Sequence, residues 1–165
     1  MKRLILMRHG KAESEALYDS DFERRLADSG VREATVVAAR LAQAKLLPAR
    51  ILASPAPRAL STACLVRDAL GGERVELRQV PELYLAAPAT LREVLARHAV
   101  DCDDVMLVGH NPGLSEFARQ LAPVRLDELP TAGVIAFEFD GDDCGAPGMH
   151  AGRVLYFDYP LRVSS

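Results

Sequence analysis

Three short stretches of this chain carry residue types suited to work on a phosphoryl group. They are Arg8-His9-Gly10, Arg58 within Ser54-Pro55-Ala56-Pro57-Arg58, and His110 within Gly109-His110-Asn111-Pro112. A neutral imidazole is a nucleophile or proton carrier. An arginine guanidinium is a planar fork that matches phosphate oxygens. Gly10 allows a sharp turn or a close backbone approach to a ligand. Taken singly, each could be an ordinary surface or loop residue. Together they share a position: each follows an apolar run that reads as a strand, and open α/β sheets gather ligands beyond the carboxyl ends of their strands. Arg58 falls in the first turn of a predicted helix, a poor place for a cation unless an anion sits beside it. His110 stands just before another helix. The joint reading is a local anion site.

The elements that must position these residues alternate between strand and helix. KRLILM (2–7) is a short buried strand. The acidic stretch 11–25, with Glu13, Glu15, Asp19, Asp21 and Glu23, has no clear period and reads as a solvated loop over the sheet, with Lys11 a solvated lysine rather than the phosphate contact its place after Gly10 also allows. Val31, Ala34, Val37, Ala38 and Leu41 recur at helical spacing over 28–44, before Pro48. A second strand over 50–53 ends at Ser54-Pro55, where Ser54 can cap and proline tolerates the first helical turn of 56–70. Gly71-Gly72 closes that helix. A third strand (75–77), a helix (90–98), the strand DVMLV (104–108) and a helix (113–121) follow. Two further strands, 134–139 and 154–159, flank a Gly/Asp-rich stretch read as a flexible hairpin loop containing His150. The pattern predicts a three-layer α/β/α sandwich, with a mainly parallel central sheet and an antiparallel C-terminal edge hairpin.

Composition narrows the function classes. The 165 residues fit one domain spanning the chain, with 49% hydrophobic and 26% charged residues as in ordinary globular proteins. A formal net charge of −3 leaves no basic face for nucleic acid, so an anion site has to be local. No stretch approaches the roughly 20 apolar residues of a membrane span, and the N-terminal apolar run is too short for a signal peptide. Cys64, Cys102 and Cys144 are widely spaced and form no C-x-x-C pattern, which fits reduced thiols in a cytoplasmic protein. Cys64 reads as core filler within its helix. His/Asp/Glu spacing suggests no metal site.

The segments LMRHGKAE, DFERRLADSG, SPAPRALSTA, PELY, VGHNPGL and LPTAGVIAFEF, in that order, resemble the SixA-type phosphohistidine phosphatases of the histidine phosphatase superfamily. The likeness spans nearly the whole chain. Arg-His-Gly alone is a weak motif; joined to S-P-x-x-R-A-x-x-T-A and G-H-N-P-G it is specific. The resemblance implies that His9 is the residue phosphorylated, with Arg8, Arg58 and His110 forming the phosphate pocket and Gly10 and Asn111 beside it. Arg24 falls where the family has the arginine of an R-P-L-T segment, a further phosphate or substrate contact. Here the segment reads Arg24-Arg25-Leu26-Ala27, lacking both proline and threonine, so Arg25 competes for that role and Asp28 is the replacement helix cap.

On this reading neutral His9 attacks phosphorus in line and water then hydrolyses the phosphohistidine intermediate. Neighbouring cations would keep His9 unprotonated, and a nearby carbonyl would fix its tautomer. No metal or other cofactor is required. Alkyl esters would need a general acid; Glu82, in Pro81-Glu82-Leu83, is the carboxylate the resemblance offers, against a plain turn-capping role. A phosphorylated imidazole leaves more readily, which favours a phosphorylated protein carrying phosphohistidine as the partner. The alternatives are a phosphatase for small phosphate esters and a catalytically weak phosphate-recognition module; two histidines beside the arginines favour an enzyme, since binding alone needs no nucleophile.

Overall fold

The computed structural model describes residues 2–140 and 152–161. The expected hairpin loop, with His150 and Cys144, lies almost wholly outside the described residues. Six strands form one sheet: Arg3–Arg8 (β1), Arg50–Ala53 (β2), Glu76–Gln79 (β3), Asp104–Gly109 (β4), Val134–Glu138 (β5) and Arg153–Asp158 (β6). Their spatial order is β3-β2-β4-β1-β5-β6. The first four are mutually parallel where they pair; β5 runs antiparallel to β1, and β6 antiparallel to β5. The layered α/β arrangement and the antiparallel edge pair are those expected from the sequence.

Period-two alternation explains the layers. Leu4 and Leu6 of β1, Val105 and Leu107 of β4, and Ile135 and Phe137 of β5 face one side. There they meet Leu91, Val94 and Leu95 of Pro88–His98 (α3) and Leu114, Phe117 and Leu121 of Gly113–Leu121 (α4). Ile5, Met7, Met106, Val108, Val134 and Ala136 face the other side. Their partners are Ala34, Val37, Ala38 and Leu41 of Asp28–Gln43 (α1) and Ala59, Ala63 and Val66 of Pro57–Leu70 (α2). Each large aliphatic side chain so buried contributes roughly 1.5–3 kcal/mol. Among the described residues no helix is long and apolar enough to cross a membrane.

Several local expectations are corrected. Val31 is 38% exposed, and Gly30 takes its place on the inward stripe of α1. A Cβ on Gly30 would lie 2.3 Å from the Lys11 carbonyl oxygen, and one on Gly10 would lie 2.8 Å from that of Gly30. The two glycines therefore let the start of α1 press against the segment after β1. Ala27, without a side-chain bond, is the N-cap of α1; Asp28 is its first residue, where its charge still complements the helix dipole. Cys64 does lie in a helix, but it is exposed, because α2 buries Ala59, Thr62, Ala63 and Val66 and Cys64 falls off that stripe.

Candidate active site

Strand register builds the site. Arg8 of β1 pairs with Gly109 of β4, so the next residues, His9 and His110, emerge side by side. Their ring centroids are 5.1 Å apart. On the other side of β4, Ala53 pairs with Val108, which brings Ser54 to His110. Arg58 enters from the first turn of α2. A cavity of about 340 Å³ at this strand end is lined by Arg8, His9, Arg24, Arg58, His110 and Asn111, with Lys11, Ala12, Asp21, Leu85 and Thr131. The structure thus brings together the four residues expected to form the pocket, with Arg24 and Asn111 beside them as also expected. Arg25 instead lines a separate groove with Pro57, Leu60 and Cys64.

His9 is 8% exposed. Its Nδ1 lies 2.7 Å from the Gly10 carbonyl oxygen, so Nδ1–H donates there and Nε2 keeps its lone pair. Burial first, then the charges of Arg58, Arg8 and Arg24, lower its pKa to about 4. The cations named in the sequence reading act, but desolvation is the larger cause. Burial, His9 and Arg58 likewise hold His110 at about 3. His110 Nε2 is 2.7 Å from Ser54 Oγ, which also accepts from the Ala56 amide at 3.3 Å. We assign the Ser54 hydroxyl as the donor to Nε2, which places the proton of neutral His110 on Nδ1, the ring nitrogen without a protein partner. Ser54 does not cap α2 directly, since Ala56 is its N-cap; it orients a histidine instead.

Two buried side-chain polar atoms among the described residues lack a hydrogen-bond partner, Arg8 Nε and His110 Nδ1. Both belong to cavity-lining residues. Buried polar atoms are rarely left unpaired in native proteins, and two on residues lining one arginine-rich cavity mark a place for an anion.

The rest of the site is held by an underlying network. Arg8 Nη1 and Asn111 Nδ2 both donate to the Leu129 carbonyl, at 3.0 and 2.8 Å. Ser115 Oγ donates to Asn111 Oδ1 at 2.6 Å and accepts from the Leu129 amide at 2.8 Å. Gly10 does not line the cavity. Its amide donates to Thr62 Oγ1 at 3.1 Å, and its lack of a Cβ serves the contact with α1 rather than a ligand. Thr62, four residues after Arg58, lies on the same buried helix face and donates to the Arg58 carbonyl.

Asp21, in the acidic stretch expected to be a solvated loop, belongs to the site instead. Asp21 Oδ2 accepts from Arg58 Nη2 at 2.8 Å and from the Tyr84 hydroxyl at 2.7 Å, while Oδ1 accepts from Arg24 Nη1 at 3.1 Å. Its carbonyl accepts from Arg58 Nη1 at 2.7 Å. The Tyr84 bond leads, followed by Arg24 and Arg58, in holding the carboxyl at about 2. Its spacing three residues before Arg24 was the one available signal. Tyr84 also meets the His110 ring edge-on, with centroids 5.4 Å apart. Glu82 is exposed on the short 3-10 turn Pro81–Leu83 and is not among the cavity-lining residues. Among the described residues no group of three or more His, Cys, Asp or Glu side chains is placed to hold a metal ion.

The low imidazole pKa values have a consequence for stability. Unfolded, both histidines take up protons below about pH 6.5; folded, they resist until about 4 and 3. The unfolded chain therefore binds more protons over that window, so stability is full above it and falls as pH drops through it. A His9→Ala variant is expected to lose less of its urea midpoint between pH 7 and pH 5 than the wild type. Equal losses would contradict a buried neutral His9.

A sequence model of the histidine phosphatase superfamily (branch 1) matches residues 4–87. An uncharacterised protein of Picosynechococcus is 35% identical over 125 residues, 72% of each chain. The protein named as a SixA phosphohistidine phosphatase in Agrobacterium tumefaciens superposes with a TM-score of 0.81 at 27% identity, covering 96% of this chain and 99% of its own. A protein histidine phosphatase SixA complexed with tungstate gives 0.78 at 24% identity, covering 96% and 97%, a likeness of fold. With its Arg-His-Gly strand end, its paired histidines and its arginine-lined cavity, the chain belongs to the histidine phosphatase superfamily and has the fold of the SixA-type phosphatases.

Proposed function

We propose that this protein removes phosphate from phosphohistidine carried by another protein, by way of a phosphohistidine intermediate on its own His9 and without a metal ion. The observation that carries the reading is the unprotonated, buried His9, its Nε2 free because Nδ1 is engaged with Gly10, in a cavity shared with Arg8, Arg24 and Arg58. Nε2 attacks phosphorus in line, and the departing imidazole takes the electron pair of its P–N bond. The guanidinium groups and His110 Nδ1–H stabilise charge on the equatorial oxygens, where positioning and electrostatics supply most of the catalysis. Tungstate, bound by one structurally similar protein, is an oxyanion of phosphate shape that such a cavity would accept.

The choice of phosphohistidine rests on proton supply. Among the described residues Asp21 is the one carboxylic residue lining the cavity, and it is held ionised. An alkoxide leaving group would find no acid there, whereas an imidazole can depart with a proton already on its ring. The test is kcat/KM across a phosphohistidine protein, a phosphoserine peptide and sugar phosphates. The highest value is expected for phosphohistidine. A higher value for an alkyl ester would make the protein a small-ester phosphatase, and tight binding without turnover a recognition module. Dialysis against a chelator is expected to leave turnover unchanged; loss restored by a divalent ion would contradict the metal-free step.

A further inference from the structure

The second half-reaction needs something the residues considered so far do not provide. Water attacking phospho-His9 must lose a proton, and in the tautomer assigned above, with the Ser54 hydroxyl donating to Nε2, His110 turns an N–H rather than a lone pair to the site. We propose that Asp21 is the catalytic proton acceptor for the water that releases phosphate from phospho-His9. This rests on the phosphoenzyme reading above and adds a residue to it.

Position, valence and charge support the assignment. In-line displacement requires water on the side of phosphorus opposite His9 Nε2. Asp21 is the carboxylic residue that lines this cavity, and its side chain is 39% exposed, at the boundary with solvent. Oδ2 is committed to Arg58 and Tyr84, but Oδ1 accepts only from Arg24 and retains a lone pair. Three anchors therefore fix the carboxylate while one oxygen stays able to take a proton. Tyr84, Arg24 and Arg58 keep the carboxylate ionised, so Oδ1 has its lone pair available, and a proton it takes up passes readily to solvent. In the step, the water oxygen forms a bond to phosphorus as the P–Nε2 bond breaks. The P–N electron pair returns to His9, and the water proton moves to Asp21 Oδ1 and then to solvent. Glu82, exposed outside the cavity lining, is the control carboxylate.

The experiment uses p-nitrophenyl phosphate, whose leaving group needs no acid, with alkaline quenching and intact-mass detection of phosphoenzyme. In Asp21→Asn a burst of about one p-nitrophenolate per chain is expected, followed by turnover slowed ~10²–10⁴-fold, with phosphoenzyme accumulating. Tungstate binding should persist, and Glu82→Gln should behave as wild type. Formate, a small carboxylate base, should partly restore turnover to Asp21→Ala. Parallel loss of burst, turnover and tungstate binding would overturn the proposal, leaving Asp21 a residue that only holds Arg24 and Arg58. So would unchanged turnover, or an alanine variant that formate does not rescue. A wild type that forms no phosphoenzyme while hydrolysing the ester would instead overturn the phosphoenzyme reading itself.

Discussion

Replacing His9 with alanine is expected to reduce turnover of every phosphorylated substrate by ~10³-fold or more while the chain remains folded. Removing a nucleophile leaves the arginines to bind phosphate with nothing to attack it. The fold should survive because the substitution deletes a buried imidazole that is neutral in the native state. Its one hydrogen bond, to the Gly10 carbonyl, contributes about 1 kcal/mol. The core on either side of the sheet is untouched. Steady-state rates, circular dichroism and tungstate binding on the same preparation check this. A folded variant keeping more than about a tenth of the wild-type rate would remove His9 as nucleophile.

Arg58→Ala should have the next largest effect, lowering kcat/KM by ~10²–10³-fold and weakening tungstate binding. Arg58 is 3% exposed at the start of α2, and two of its N–H groups are held by Asp21, through its carboxylate and its carbonyl. The fork is thus anchored on one side, and its remaining N–H groups are available to an anion. Lysine cannot replace that geometry, because a single ammonium cannot bridge Asp21 and still present a planar fork to phosphate. Arg58→Lys is therefore expected to recover only a small part of the lost activity. Near-full recovery would mean that charge alone, rather than the anchored fork, matters at this position.

The sequence exposed the parts of this site that ride on strong local patterns. LILM and VMLV are unbroken apolar runs, so their ends, and with them His9 and His110, could be located without a structure. The two layers followed from alternating strands and amphipathic helices. Register is a different matter: nothing local says that Arg8 pairs with Gly109, and that pairing is what places the two imidazoles together. Asp21 was hidden for a related reason. In an aperiodic acidic stretch, one carboxylate is distinguished from its neighbours only by tertiary partners, here Arg58, thirty-seven residues away, and Tyr84, sixty-three away. Ser54 and Gly10 stand out in the sequence, but local pattern offers only the commonest role of each type, cap and turn. The structure uses them for long-range contacts with His110 and with the start of α1. Arg24 and Arg25 are adjacent in sequence, and only the path of the chain before Leu26 decides which enters the cavity.

The central claim is a covalent one, that His9 carries the phosphoryl group during turnover. Its most direct test is intact-mass measurement after mixing the enzyme with a phosphohistidine protein and quenching in alkali, where a phosphorus–nitrogen bond survives. The result expected is a species heavier by one phosphoryl group. It should localise to the peptide containing His9, disappear on brief acid treatment, and be absent from His9→Ala. Hydrolysis proceeding at full rate with no such species, or an adduct on any other residue, would contradict the account.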